Sequence, residues 1–205
     1  MALNPIARQQ WAEDERVMPS FFTHWQKIRA VERRAASMSA EEQAQTAAEL
    51  TRLIREDSNI PLRLAAVNAL SAFPPEVARE GIYAAAADEN VELRLAACQA
   101  LRRLGDNTSI NLLASLAQSD PALDVRLTAT RQLAGVSHPA AMQALEAALE
   151  DRDPALQYRA MESLAVTTGK RYGYQVALWR AYLRGEQPPE PPIRGIAGWF
   201  GPLLR

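Results

Sequence analysis

The stretch DSNIPLRLAAVNAL at residues 57–70 returns without gaps as DENVELRLAACQAL at 88–101, DPALDVRLTATRQL at 120–133 and DRDPALQYRAMESL at 151–164. The leading aspartates, Asp57, Asp88, Asp120 and Asp151, stand 31, 32 and 31 residues apart. Five residues after each comes Leu62, Leu93, Val125 or Leu156, nine after it Ala66, Ala97, Ala129 or Ala160, and thirteen after it Leu70, Leu101, Leu133 or Leu164. Apolar residues at i, i+4 and i+8 mark one face of an α-helix, and the alanine in the middle lets a neighbouring backbone approach. A fixed period of this length is the signature of a stacked repeat, which is decisive for fold before any single residue is considered.

A second helix precedes each aspartate. Residues 41–56, 76–87, 109–119 and 140–150 are rich in Ala, Leu and Glu, all strong helix formers. Ser39-Ala40-Glu41-Glu42 has the form of a capping box, Pro74-Pro75 and His138-Pro139 stand at helix starts, and Gly105-Asp106-Asn107 closes one helix and turns the chain. The four aspartates then fall in the turn inside each pair, placed to cap the helix that follows. No segment alternates as a strand would. The expectation is an all-α fold, a right-handed α-solenoid of helix pairs with divergent capping helices at both ends.

The motif D-x4-[LV]-R-x2-A-x3-L on a helical pair of about 31 residues resembles HEAT repeats, specifically the short bacterial kind also found in phycobilisome-lyase-like proteins. The resemblance implies a ladder in which the turn aspartate and the arginine six residues later link neighbouring repeats: Asp57 with Arg63, Asp88 with Arg94, Asp120 with Arg126. Asp151 is followed by Gln157 in the arginine's place, so the ladder is expected to stop there. The likeness covers roughly residues 41–168 and speaks to fold, not to function.

The ends differ from the repeats. Of the thirteen aromatic residues only Phe73, Tyr83 and Tyr158 lie within 57–168, and all four tryptophans lie outside it. Residues 1–38 are expected to form a capping helix pair, 5–17 and 20–36, before four repeats over 39–168. In its second helix Phe21, Phe22, Trp25, Ile28 and Val31 lie along one face, for core packing against the first repeat or for a partner. Residues 169–186 should supply a last capping helix, 174–183, with Val176, Trp179 and Leu183 closing the core. Residues 187–205 hold a proline-rich spacer, QPPEPPI at 187–193, and an apolar tail with Ile196, Trp199, Phe200, Leu203 and Leu204. That tail suits folding back on the solenoid, docking on another protein or a second copy, or contact with a membrane surface.

Chemistry has few parts to work with. Two histidines, His24 and His138, sit in different units without metal-ligating spacing, so no metal, cofactor or catalytic residue is expected. Cys98, the single cysteine, falls beside Leu95 and Leu101 and suits a small buried hydrophobe better than a nucleophile. Lys+Arg total 23 against Asp+Glu 24, and residues 57–168 hold nine basic against fourteen acidic side chains. An acidic body is the wrong sign for a phosphate groove, so nucleic acid is disfavoured as a partner. No apolar run approaches the ~20 residues of a membrane span, and no signal segment is visible, which points to a cytoplasmic protein.

On the second helices, Asn68, Gln99, Arg131 and Glu162, eleven residues after each aspartate, face away from the apolar stripe. With Arg103, Gln132 and Arg159 they form a candidate concave protein-binding face. Ala65, Ala69, Ala96 and Ala100 are expected to make a shallow open floor in the first two repeats. The functional expectation is a non-enzymatic interaction scaffold or adaptor for another protein. The alternatives are an accessory, lyase-like subunit assisting modification of a partner, and a nucleic-acid-binding solenoid.

Overall fold

A computed structural model describes residues 21–191 of the chain. It holds ten α-helices in this range: α1 Phe21–Arg34, α2 Ala40–Glu56, α3 Ile60–Leu70, α4 Pro75–Ala86, α5 Val91–Leu104, α6 Asn107–Ser119, α7 Leu123–Gln132, α8 Pro139–Leu149, α9 Pro154–Thr168 and α10 Val176–Leu183. Among the described residues there is no strand. The expected all-α class is the observed one.

The chain divides into two compact units, with Leu112 ending the first and Leu113 opening the second, inside α6. In the first, α2 and α3 pair, α4 and α5 pair, α2 packs on α4 and α3 on α5. First helix stacks on first and second on second, the packing that defines an α-solenoid. Helix α1 packs on α3, not primarily on α2, and so takes the place of a second helix. In the second unit α9 packs on both α7 and α8, and α10 follows against α9.

Local sequence explains where each helix begins and ends. Ser39 accepts from the Glu42 N–H while Glu42 accepts from the Ser39 N–H, closing the expected capping box on α2. Prolines enter at the first turns of α3, α4, α8 and α9, where their missing N–H costs nothing. Gly105 and Gly169 end α5 and α9 at φ of 66° and 71°, a left-handed conformation that favours glycine.

The repeat positions form the core. Leu62, Ala66, Leu70, Leu93, Ala97, Leu101, Val125, Ala129, Leu133, Leu156, Ala160 and Leu164 are all buried. Gly81 in α4 lets α2 and α3 come close: a Cβ there would sit 2.6 Å from Thr51 Oγ1 and also overlap Leu70. At the far end Trp179 is fully buried, donates to the Gly173 carbonyl at 2.8 Å and meets Tyr172 edge to face at 5.0 Å. Val176 and Leu183, expected to close the core beside it, are only half-buried. The residue that completes the closure is Tyr172, from the loop before α10.

Candidate functional site

The turn aspartates come first, because they are the most regular polar feature. Asp57, Asp88, Asp120 and Asp151 each accept the N–H two residues on, from Asn59, Asn90, Ala122 and Asp153, at 2.7–2.9 Å. They shape the turn but do not cap the helix, which corrects the expectation. The caps are the residues two positions later: Asn59, Asn90 and Asp153 accept from the first turns of α3, α5 and α9, and Ala122 precedes α7 without a side-chain cap. An Asx-turn followed by a cap satisfies more orphan donors than the aspartate could alone.

The arginines do the linking. Arg63 donates from Nε to the Ile54 carbonyl at 2.6 Å and forms an ion pair with Asp88 of the next repeat, both side chains being mostly buried. Arg94 donates to the carbonyls of Asp88 and Glu89, and Arg126 to that of Asp120. Gln157 does the same for the Asp151 carbonyl at 2.8 Å. The within-repeat half of the ladder therefore continues into the fourth repeat, through an amide instead of a guanidinium. These charges are committed to structure.

Three further polar groupings lie in or beside the turns. The Tyr83 hydroxyl reaches the Asp106 carboxylate at 3.1 Å and the Ser109 hydroxyl at 3.2 Å. Burial works to raise the Asp106 carboxyl, but the Ser109 N–H, the two hydroxyls and Arg79 outweigh it and hold it below its ordinary range. His138 accepts the Ala140 N–H through Nδ1 and caps α8. Arg180 grips Glu150 with two bonds, at 2.6 and 2.7 Å. Among the described residues no group of three or more His, Cys, Asp or Glu could hold a metal ion. Cys98 is fully buried, as its place between apolar neighbours suggests.

The proposed binding positions are spread over both units. In the first, Asn68, Gln99 and Arg103 are exposed; in the second Arg131 is exposed, and Gln132, Arg159 and Glu162 are half-buried, with Arg159 and Glu162 paired at 2.6 Å. The alanine floor is a correction. Ala65, Ala69 and Ala100 are buried and Ala96 is half-buried, because α3 is packed by α1, α2, α4 and α5, leaving only Pro61 and Asn68 exposed on it, and α5 is packed by α3 and α4. Ile196, Trp199, Phe200, Leu203 and Leu204 lie outside the described residues, as does the expected helix 5–17.

Helix α1 departs most from expectation. Phe21, Phe22 and Trp25 are exposed, at 45%, 57% and 37%, while Ile28 is buried and Val31 half-buried. The five do not share one face. Phe21, Phe22, Trp25 and Arg29 lie on one side; Phe22 stacks on Trp25 at 6.3 Å and the Arg29 guanidinium sits 5.7 Å from the Trp25 ring. His24, Lys27, Ile28 and Val31 occupy another side, where they form one wall of a groove of about 630 Å³ whose other wall is α2. In the second unit, exposed Tyr158 and Tyr174 stack at 4.5 Å and share a hydroxyl–hydroxyl bond of 2.8 Å. That bond to Tyr174 above all pushes the Tyr158 phenol up to about 12. No periodicity foretells this pair, since Tyr174 stands in a loop between α9 and α10.

Residues 47–130, from the middle of α2 into α7, match the family model described as HEAT repeats. The matched span is less than half of the chain and supports a HEAT-repeat protein. No curated protein matches the chain. Among the described residues, no helix is long and apolar enough to cross a membrane.

Proposed function

We propose that this chain is a non-enzymatic protein-interaction scaffold, and that the aromatic stripe of α1 is its principal anchor. HEAT repeats commonly serve as such scaffolds, and within them the 31-residue period and the D-x4-[LV]-R motif favour the short bacterial kind. The observation that carries the reading is the exposed cluster of Phe21, Phe22, Trp25 and Arg29. Tryptophan and arginine dominate binding hot spots, and rigid rings contribute large contact area at small cost in conformational entropy. The exposed Asn68, Gln99 and Arg103 of the first unit are polar contacts that could add specificity to such an anchor; the exposed Arg131 and the half-buried Gln132, Arg159 and Glu162 are a separate candidate surface of the second unit. The buried alanines favour contacts made by projecting side chains over insertion into a trough. The tail residues Ile196, Trp199, Phe200, Leu203 and Leu204 remain a second candidate anchor.

The test is affinity capture from native lysate with four baits: the intact chain, Phe22→Ala/Trp25→Ala, a chain ending at residue 186, and Gln99→Ala/Arg103→Ala. Because both α1 side chains are exposed, the double variant should keep its helical circular dichroism and Tm. A partner lost with that variant alone supports the α1 anchor. A partner lost only with the truncated bait moves the anchor to the tail. A partner retained by both variants and lost in Gln99→Ala/Arg103→Ala moves it to the second-helix face.

A further inference from the structure

The chain has five tyrosines, and two of them stack on the surface of the second unit. Tyr158 stands in the second turn of α9, and Tyr174 in the loop 169–175, where Gly169 and Gly173 both take left-handed backbone conformations. Their rings lie 4.5 Å apart at 19°, and their hydroxyls share a bond of 2.8 Å. Stacking alone asks only for two rings, whereas the hydroxyl bond also sets them in register. With the two oxygens held together, the ring carbons beside them, the Cε atoms, are neighbours across the stack. Both residues stay open to solvent, at 42% and 60% exposure. Tyr172 and Tyr182 make the contrast within the same unit. Their rings are 5.8 Å apart and tilted by 50°, and Tyr172 is buried.

We propose that Tyr158 and Tyr174 are an oxidative modification site, joined within one chain as a dityrosine by hydrogen peroxide acting through a haem peroxidase, and that the bond staples the loop before α10 onto α9. The enzyme takes one electron and the phenolic proton from each tyrosine, and the peroxide carries both electrons and both protons away as two molecules of water. In a phenoxyl radical the unpaired electron is shared with the carbons ortho to oxygen, which here are the Cε atoms. The two radicals couple at those carbons. One Cε–Cε bond forms, one Cε–H bond breaks on each ring, and each released proton returns to a phenoxyl oxygen, so both hydroxyls are restored. Two hydrogens leave the chain in all. Rings already held together react at a high effective concentration, which favours a bond within one chain over a bond between chains. The cross-link closes the chain between residues 158 and 174 and so restricts its unfolded state. What it fastens is the segment that carries Tyr172 and leads into Trp179, the two buried rings that close the core at that end. The site belongs to the second unit and does not depend on the α1 anchor.

The test treats the full chain with a haem peroxidase and hydrogen peroxide, separates the monomer, and reads dityrosine fluorescence and a tryptic mass map. Cleavage after Arg152, Arg159, Arg171 and Arg180 puts Tyr158 in peptide 153–159 and Tyr174 in peptide 172–180. Those two peptides should appear joined and lighter by two hydrogens, in at least about ten-fold excess over 172–180 joined to 181–184, the product of Tyr172 with Tyr182. Tyr158→Phe and Tyr174→Phe should each abolish the product while keeping a stacked ring, and Tyr182→Phe should leave it unchanged. A product that survives Tyr174→Phe assigns the bond to Tyr172 and overturns the proposal. Dityrosine found only in covalent dimers overturns it as well. The staple is read separately, in a chain whose other three tryptophans are phenylalanine. There the Trp179 emission should give a higher urea midpoint after cross-linking, and Tyr174→Phe treated alike should show no rise. A midpoint that stays put in the cross-linked chain overturns the staple.

Discussion

Single residues carry more of this fold than their size suggests. Gly81 is the clearest case, because its missing side chain is the space in which Thr51 and Leu70 pack. Thr51 is itself buried in α2, so an added methyl has no flexible surface group to push aside. Gly81→Ala should gain helix propensity yet lose about 1–3 kcal/mol net from overpacking, read as a lower urea midpoint at unchanged m-value. A midpoint equal to or above that of the parent chain would show that the helices simply move apart. At the other end, Tyr158 offers a pH readout. Its phenol is raised to about 12, first by the hydrogen bond with Tyr174. A raised acid favours its protonated form, so the contribution is fully present below the ordinary value of 10.0 and is lost as pH climbs through the raised one. In Tyr174→Phe the Tyr158 ionisation, followed by ultraviolet difference absorbance, should fall back towards 10. An unchanged titration would mean that Glu162 and burial, not the hydroxyl bond, hold the proton.

At the scale of the element, what was legible in the sequence and what was not divides along a physical line. The helices and the buried stripe were legible because periodic burial writes a periodic pattern, which Leu62, Leu93, Val125 and Leu156 each begin. Starts and stops followed from Ser39, Pro75, Pro139, Gly105 and Gly169, whose backbone chemistry is local. The turn aspartates were seen but misplaced by two residues, since an Asx-turn and an N-cap use the same side-chain types a few positions apart. The α1 stripe and the alanine floor were misjudged for a different reason. Whether an apolar face is covered depends on which neighbour lies against it, and a helix wheel does not contain its neighbours. The ladder shows what recurrence can mean energetically. Arg63 and Asp88 are about 13% and 14% exposed, so removing one partner leaves a mostly buried charge. Arg63→Met should therefore cost about 2–3 kcal/mol, and Asp88→Asn in the same chain should recover part of it, giving a clear coupling in a double-mutant cycle. Additive costs would reduce the pair to a bystander of the Ile54 carbonyl bond. Gln157→Ala, which breaks only a neutral bond to the Asp151 carbonyl, should cost no more than about 1 kcal/mol.

For the whole molecule, the relevant question is how far a local change travels. Helical repeats owe their stability to contacts with immediate neighbours, so perturbation should fade along the chain instead of acting everywhere at once. The two compact units each contain a natural reporter. Cys98, fully buried in α5, reports on the first through thiol reactivity; Trp179, fully buried in α10, reports on the second through its emission. Replacing Trp11, Trp25 and Trp199 with phenylalanine leaves Trp179 as the only tryptophan. Placing Gly81→Ala in that background weakens α4, which packs directly on α5 and belongs to the first unit. The Cys98 midpoint in urea should then fall by more than the Trp179 midpoint, because the lost packing lies next to the first probe. The continuous helix α6, which begins in one unit and ends in the other, is the element that would carry any remaining effect across. Equal shifts at both probes would mean that the described residues unfold as one cooperative body, and the nearest-neighbour account of this chain would have to be given up.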